Sequence, residues 1–183
     1  MAHGMTIAIM GVSGSGKSTI ARLLAETLSW QMIEADDLHS SENVAKMRAG
    51  EPLNDVDREG WLTHLQQRIW QETSSGASIV VACSALRRVF RQRLAAGAGG
   101  PTIVVFLQVD LATAFSRVRN RENHFMPSSL VSSQFESLEV PGAEEALIVS
   151  ADLPASELVT QVLERLRGVN SAQPFLGDIS PRS

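Results

Sequence analysis

Cysteine is nearly absent from this chain of 183 residues, since Cys83 is the only one. A single cysteine excludes an internal disulfide and favours a reducing compartment. Long apolar runs are also absent: the longest, Met5–Met10, Ile79–Cys83 and Ile103–Leu107, are far too short to span a membrane. Positive charge is also in short supply: the formal net charge is −4, which argues against the basic surface of a nucleic-acid-binding protein.

We also expect no secretory signal, because the first residues show no charged segment followed by an apolar core and a cleavage site. We therefore expect a soluble, cytoplasmic protein without a membrane or nucleic-acid partner. The length suits one domain with a sizeable core. We predict a single domain over residues 1–168 and a mobile tail over residues 169–183, because Val169–Ser183 has two prolines, few large apolar residues and no periodicity.

Short apolar runs alternate with longer helical patterns along the chain. The predicted strands are Thr6–Met10, Gln31–Ile33, Ser78–Cys83, Thr102–Gln108 and Ala146–Ser150. The predicted helices are Lys17–Ser29, Glu42–Ala49, Gly60–Ser74, Ala85–Ala96, Leu111–Glu122, Pro127–Leu138 and Ala155–Arg167. This alternation predicts an α/β domain with a parallel sheet.

The first predicted strand runs into the sequence GVSGSGKST, which fits a phosphate-binding loop between a strand and a helix. Such a loop turns its backbone N–H groups toward phosphate oxygens at a helix N-terminus. Lys17 is predicted to reach the β- and γ-phosphates, and the Ser18 hydroxyl to bind Mg²⁺. The other reading is a Gly/Ser-rich turn that caps a helix. The predicted nucleotide-binding residues here are Gly11, Val12, Ser13, Gly14, Ser15, Gly16, Lys17, Ser18 and Thr19.

A P-loop alone is compatible with a GTPase switch, an ATPase motor or transporter subunit, or a small-molecule kinase. The Asn-Lys-x-Asp sequence that specifies guanine is absent, which argues against the switch. Asp110 follows a strand, where a motor places its Mg²⁺-binding acid, but Asp110 also stands where it would cap the next helix. The small size and the single P-loop near the N-terminus favour the kinase.

Several further stretches occur in a specific order. They are ADDLHSSENVAKMRAGEPLNDVDREGWL, CSALRRVFRQRL and NHFMPSSLVSSQFESLEVP. With the P-loop, they make residues 5–168 resemble the gluconokinase family, P-loop kinases that phosphorylate the 6-hydroxyl of D-gluconate with ATP. The chain departs from the family pattern at three positions: Glu34 stands in place of Asp, Ser40 in place of Pro, and Gly60 in place of Pro.

The resemblance implies a three-layer P-loop kinase fold with a five-stranded parallel sheet in the order 2-3-1-4-5. It also implies helices on both faces, a helical lid near residues 119–130, ATP as co-substrate, Mg²⁺ and a possible homodimer. The other candidates are a shikimate- or nucleotide-type kinase of the same fold, and a nucleotide-gated binding protein with little turnover.

The substrate's chemistry suggests which residues bind it. Gluconate carries a carboxylate, which a guanidinium fork can bind in bidentate fashion, so Arg58 is the first candidate. His39 can serve as a hydroxyl partner in either tautomer. Asp55 and Asp57 could hold Arg58 or accept sugar hydroxyls, or they could cap the next helix. The further substrate-binding candidates are Lys46, Ser84 and Arg87, although each could instead be a solvated or capping residue.

Three acids follow the second strand in the sequence IEADDLH. If the strand continues through Asp36, then Glu34 and Asp36 point to one side and Asp37 to the other. Asp36 also matches the family's acid, and we predict it to be the catalytic base that contacts the acceptor hydroxyl. Glu34 is predicted to serve Mg²⁺, and Asp37 to be solvated or to cap a helix.

The segment RVRNRENHFMP brings three arginines close together, and mobile cations help when charge spreads over a migrating phosphoryl group. By resemblance this segment is the lid. Arg121 is the predicted catalytic and nucleotide phosphate contact, Arg117 is the second nucleotide contact, and His124 is a substrate-binding candidate. Glu139 is expected to pair with a lid arginine. Cys83 is expected to be a buried core thiol.

Overall fold

A computed structural model describes the backbone of residues 3–120 and 129–172 and the side chains of residues 3–120 and 129–168. The strands are β1 (Thr6–Met10), β2 (Gln31–Glu34), β3 (Ile79–Ala82), β4 (Thr102–Gln108) and β5 (Leu147–Ser150). The helices are α1 (Lys17–Leu28), α2 (Ser41–Arg48), α3 (Asp55–Ser74), α4 (Arg88–Gly97), α5 (Leu111–Arg119), α6 (Ser129–Ser137) and α7 (Ala155–Ala172).

The five strands form one parallel sheet in the order β2-β3-β1-β4-β5, which confirms the predicted order. β1 is the central strand, and its Ile7 lies opposite Val80 of β3 and Ile103 of β4. Every residue of β1 and β3 is buried, as expected of strands covered on both faces. The carboxyl ends of all five strands consequently meet at one edge, where ligands bind in folds of this kind.

Two apolar clusters fill the space between the sheet and its helices. The larger one includes side chains of α1, α5 and α7, such as Leu24, Val118 and Val162. The other includes Leu65 of α3 and Leu94 of α4. These clusters give the three-layer arrangement, with helices on both faces of the sheet. Within the described parts of the chain, no helix is both long enough and apolar enough to cross a bilayer.

Helix α3 begins five residues earlier than the sequence pattern predicted. Asn54 and Asp57 form a capping box there, in which Asn54 Oδ1 accepts from the Asp57 N–H at 2.9 Å and Asp57 Oδ2 accepts from the Asn54 N–H at 3.0 Å. Such a box satisfies N–H groups that have no partner within the helix. The prediction of a start at Gly60 is therefore wrong, and Asp55 and Asp57 lie in the first turn of α3.

The structure also defines the start of α5 and the end of α7. Asp110 caps α5, since its Oδ1 accepts from the Thr113 N–H at 2.8 Å. Helix α7 runs to Ala172, so its first residues beyond Arg167 continue into the segment predicted as a mobile tail. The rest of that tail, and residues 121–128 of the predicted lid, lie outside the described residues.

Candidate active site

A cavity opens at the carboxyl ends of the strands, between the P-loop, the segment after β2, the segment after β3 and helices α3 and α6. It brings together many of the residues predicted from the sequence. Those on its walls are Ser13, Lys17, Asp36, His39, Arg58, Ser84 and Arg87.

Sequence reasoning assigned no role to several other residues of the wall, which are Met47, Leu53, Trp61, Phe90, Leu130 and Gln134. A helical pattern of apolar residues does not distinguish a core face from a cavity wall, so it gave no sign of the apolar wall positions on α2, α3, α4 and α6. Gln134 lies within the SSQF stretch that contributed to the family resemblance. Its Oε1 accepts a hydrogen bond from the backbone N–H of Ser13 at 2.7 Å, so α6 contacts the P-loop directly.

The P-loop adopts a conformation that requires glycine. Gly14 has φ 85° and Gly16, which caps α1, has φ 91°, both in the left-handed region. A Cβ at Gly14 would also overlap the carbonyl oxygen of Ala114. Lys17 follows at the first position of α1 and is buried, although it reaches the cavity. Residues 11–16 lie between β1 and α1, whereas Ser18, which is half-buried, and Thr19, which is exposed, lie in the first turn of α1.

Glu34 ends β2 beside Ser18. The pKa of Glu34 is raised overall, mainly by burial and also by the charge of Asp36. A hydrogen bond with the Ser18 side chain and the charge of Lys17 offset part of this rise. The carboxylate oxygen Oε1 is buried and has no hydrogen-bond partner. A hydroxyl and a carboxylate oxygen are the hard donors that Mg²⁺ prefers, so the pair fits that ion. Among the described residues no group of three or more His, Cys, Asp or Glu could hold a metal, so phosphate or water would complete such a site.

The backbone after Glu34 does not continue as a strand. Residues Ala35–Leu38 form a turn of 3-10 helix, so the predicted alternation of side chains along an extended chain is wrong. Asp36 nevertheless lines the cavity, whereas Asp37 is exposed to solvent. The difference between the two acids therefore comes from the turn.

His39 lies at the end of this turn and stacks on Trp61, with ring centroids 4.7 Å apart and ring planes 10° apart. The Trp61 indole N–H donates to the Ala35 carbonyl at 2.7 Å, which ties α3 to the turn. Burial lowers the pKa of His39; the charge of Asp36 raises it and that of Arg58 lowers it further. The imidazolium form of His39 therefore loses its proton at a lower pH than that of an ordinary histidine.

Two arginines of the cavity wall, Arg58 and Arg87, share the carboxylate of Asp55. Asp55 Oδ1 lies 2.6 Å from Arg87 Nη1 and 3.6 Å from Arg58 Nη1. Both guanidinium groups also lie over the ring of Phe90, 5.4 Å from its centroid for Arg87 and 5.9 Å for Arg58. Burial lowers the pKa of Arg58, and the charge of Arg87 adds to this, while the hydrogen bond with Asp55 raises the pKa of Arg87.

Lys46 was a predicted substrate contact, but it is not part of the cavity wall. Its Nζ lies 2.6 Å from Asp57 Oδ1, so it joins α2 to the start of α3. This ion pair lowers the pKa of Asp57 together with the capping hydrogen bond at Asn54. The ion pair could not be predicted from the sequence, because the partner lies eleven residues away, at a contact that only the fold creates.

The segment after β3 has a strained backbone at Ala85, whose φ of 43° is unusual for a residue with a side chain. The buried Arg91 donates to the carbonyls of Ala85 at 3.3 Å and Leu86 at 3.1 Å. Arg91 also pairs with Glu145 at 3.0 Å. This strain explains why α4 begins at Arg88 and not at Ala85 as predicted.

Glu139 holds the same segment from the other side. Its N–H donates to the Leu86 carbonyl at 2.9 Å, and its Oε2 accepts from the Arg88 N–H at 2.6 Å. Glu139 thus caps α4, and its expected pairing with a lid arginine stays a prediction because residues 121–128 lie outside the described residues. Arg91 and Glu139 together therefore hold the segment that carries Ser84 and Arg87 to the cavity.

Arg117 lies between the P-loop and the segment after β5. It donates to the Ala151 carbonyl at 2.9 Å and, at 3.5 Å, to the Gly14 carbonyl. Its position beside the P-loop is compatible with the predicted nucleotide contact. Arg121 and His124 lie outside the described residues. Cys83 is buried, as expected, and burial raises the pKa of its thiol to about 12.

Comparisons with known proteins agree with this architecture. A family model described as an AAA domain matches residues 7–141. A probable gluconokinase of Rattus norvegicus is 42% identical over 177 residues, which cover 87% of this chain and 96% of the relative.

Solved structures agree as well. A crystal structure of a gluconokinase from Sinorhizobium meliloti 1021 superposes with a TM-score of 0.83 and 37% identity, covering 97% of this chain and all of that one. A shikimate kinase from Aquifex aeolicus shares the fold alone, with a TM-score of 0.62 and 18% identity over 92% of this chain and 99% of that one. The specific motifs, the sheet order and the extent of these matches lead to one conclusion: the chain belongs to the gluconokinase family of P-loop kinases.

Proposed function

We propose that this protein is a gluconokinase that transfers the γ-phosphoryl group of ATP to the 6-hydroxyl of D-gluconate, giving 6-phospho-D-gluconate and ADP. The observation that carries the proposal is a single cavity in which the P-loop lysine, Lys17, shares the walls with Asp36 and with the arginine pair Arg58 and Arg87. Such a cavity offers phosphate binding, a hydroxyl acceptor and a carboxylate site together.

The arginine pair supplies the carboxylate site. Two guanidinium groups converge on Asp55, which shows that their donors can meet around one carboxylate. A second carboxylate, that of gluconate, would complete the charge balance, because two arginines and one aspartate leave a net positive charge. Charge-assisted hydrogen bonds to guanidinium groups are among the stronger polar contacts in proteins.

The acceptor hydroxyl requires a group that can accept or orient its proton, and Asp36 is our candidate. Asp36 lies in the turn after β2 and lines the same cavity as Lys17. His39, on the same wall, would donate to or accept from a sugar hydroxyl, and Ser84 would add a further hydroxyl contact. Catalysis of this kind depends mostly on positioning and electrostatics.

ATP and Mg²⁺ are the implied co-substrate and metal. Residues 11–19 would surround the phosphates, with Lys17 at the β- and γ-phosphates. Ser18 and Glu34 would hold Mg²⁺ directly or through water, which supplies positive charge at the phosphates when bound. The buried, unpartnered Oε1 of Glu34 supports this assignment. By family resemblance, Arg117, Arg121 and His124 would contact nucleotide and substrate from the lid side.

An ADP-release assay tests the proposal. With ATP and Mg²⁺ present, ADP formation should rise strongly on addition of D-gluconate and remain at background with shikimate or a nucleoside monophosphate. The variant Lys17→Ala should lose this turnover. Stimulation by shikimate or a nucleoside monophosphate in place of gluconate would overturn the assignment, and binding of ATP without turnover would favour a nucleotide-gated binding protein.

Assembly and location stay predictions. A homodimer is expected from the family resemblance and is checked by light scattering on the purified protein. A cytoplasmic location is expected from the sequence and is checked by cell fractionation.

A further inference from the structure

The orientation of the His39 ring is fixed by Trp61. The nearly parallel stack, with ring planes 10° apart, sets the plane of the imidazole. Trp61 itself is buried, and its hydrogen bond to the Ala35 carbonyl prevents the indole from rotating without losing a buried partner. Trp61 therefore holds both ends of the turn that carries Asp36, through the Ala35 carbonyl on one side and the His39 ring on the other.

Asn43 determines which nitrogen of His39 accepts a hydrogen bond. Its Nδ2 donates to the Asp57 carbonyl at 2.7 Å, and because a carbonyl only accepts, this contact fixes which end of the amide is the nitrogen. The same Nδ2 lies 3.5 Å from His39 Nδ1. A donor thus faces Nδ1, so a proton on Nδ1 would meet another N–H group. Asn43 is buried, which makes the arrangement costly to reverse.

The charged groups around the ring do not favour a second proton. Asp36, in the turn, favours the imidazolium, whereas Arg58 of α3 and burial disfavour it, and the pKa of His39 is lowered overall. The neutral ring therefore carries one proton. With Nδ1 facing a donor, that proton belongs on Nε2, the nitrogen left for a ligand in the cavity.

We propose that Asn43 and Trp61 are positioning residues that hold His39 as the neutral tautomer protonated on Nε2, ready to donate to the oxygen of a substrate hydroxyl. The identity of that hydroxyl rests on the proposed function. A hydroxyl can accept from Nε2–H and donate to the Asp36 carboxylate at once, so the pair selects an alcohol. An ammonium group has no lone pair and cannot satisfy the Nε2–H.

Nuclear magnetic resonance on the ligand-free full-length protein tests the tautomer directly. Long-range ¹H–¹⁵N spectra of ¹⁵N-labelled protein near pH 7.5 distinguish protonated from unprotonated ring nitrogens, and the signals lost in His39→Gln identify His39. We expect a protonated Nε2 and an unprotonated Nδ1. A protonated Nδ1, a doubly protonated ring or averaged shifts would each overturn the proposal. No gluconate is present, so this result is independent of whether the protein is a gluconokinase.

Two substitutions at His39 give a matched functional comparison. The amide nitrogen of Gln reaches about where Nε2 stands, whereas that of Asn reaches about where Nδ1 stands. If donation from Nε2 matters, kcat/KM for gluconate in His39→Gln should exceed that in His39→Asn by roughly tenfold, the value of one hydrogen bond. Equal losses, or a more active Asn variant, would contradict the donor role.

The positioning residues are tested by the same spectra. Asn43→Asp replaces the donor beside Nδ1 with an acceptor, so the proton should move to Nδ1 and the pKa of His39 should rise. Trp61→Phe retains a stacking ring but removes the bond to Ala35, and it should lower kcat more than it raises KM. An unchanged tautomer in Asn43→Asp would show that Asn43 does not select it.

Discussion

The Asp55 carboxylate stands between two guanidinium groups, 2.6 Å from Arg87 Nη1 and 3.6 Å from Arg58 Nη1. We have assigned these arginines to the carboxylate of the substrate. Because Arg58 is half-buried and rests over Phe90, its position is constrained even without a ligand.

Replacing Arg58 by alanine should raise the KM for gluconate roughly tenfold to hundredfold, since a hydrogen bond to a charged group contributes about 1.5–3 kcal/mol. The value of kcat should change much less, because the carboxylate is remote from the transferred phosphoryl group. Steady-state kinetics at varied gluconate concentrations measure both. Arg68→Ala is the matched control, since Arg68 pairs with Glu72 elsewhere on α3 and should leave KM unaltered. A selective loss of kcat in Arg58→Ala would contradict the assignment.

Asp36→Asn should reduce kcat roughly a hundredfold or more, the usual contribution of a positioned acid or base. Asp37→Asn, one position along the same turn, should leave kcat near that of the unmodified protein because Asp37 is exposed and outside the cavity wall. Initial rates at saturating ATP and gluconate make the comparison. Equal losses in the two variants would remove the distinction between the acids.

Glu34→Gln should raise the Mg²⁺ concentration that gives half-maximal rate by roughly tenfold to hundredfold, the range for groups that support a metal site. The amide keeps the size of the side chain but removes the charge. Glu34→Asp keeps the charge on a shorter side chain. Its half-maximal Mg²⁺ concentration should lie between those of the unmodified protein and the Gln variant. Superimposable Mg²⁺ titrations of the Gln variant and the unmodified protein would exclude Glu34 from metal binding.

Gly60→Ala should raise the free energy of unfolding by about 0.5–1 kcal/mol. Gly60 lies inside α3, and a Cβ there would have no atom within 4 Å, so the gain in helix propensity meets no clash. Urea denaturation followed by circular dichroism gives the value. Gly14→Ala should have the opposite sign, because of its φ of 85° and the overlap with Ala114. Destabilisation by Gly60→Ala would show that α3 is distorted at this position.

Cys83 should be inert toward thiol reagents in the folded protein. Burial raises the pKa of its thiol to about 12, so at pH 8 almost no thiolate is present and the sulfur is covered. An aromatic disulfide reagent releases a coloured thiolate for each protein thiol that reacts. The absorbance should report no reactive thiol in buffer and one per chain in denaturant. Rapid reaction without denaturant would mean that the end of β3 opens readily.

The sheet and the P-loop could be predicted from sequence because their signals are local. The buried strands are continuous apolar runs, and the spacing from Gly11 to Ser18 fits only a few backbone conformations. The order of the strands came from the family resemblance. Asp110 illustrates a local signal that had two readings, of which the structure supports the helix cap.

The remaining features depend on tertiary contacts. The turn at Ala35–Leu38 has no distinctive sequence, and its shape is stabilised by the Trp61 indole, 26 residues away. Lys46 carries the same charge whether it meets a substrate or Asp57, so only the packing of α2 against α3 distinguishes the two. The cap of α4 by Glu139 likewise joins residues 51 positions apart.

The left-handed Ala85 has a consequence for how this enzyme could change over evolutionary time. A residue with a side chain at φ 43° does not select that conformation itself, so the shape of the segment that carries Ser84 and Arg87, our proposed substrate contacts, is imposed by Arg91, Glu139 and Glu145. None of these three residues lies on the cavity wall. If the proposed contacts are right, mutations at these three residues would move Ser84 and Arg87 together, so substrate preference could change through positions outside the cavity wall.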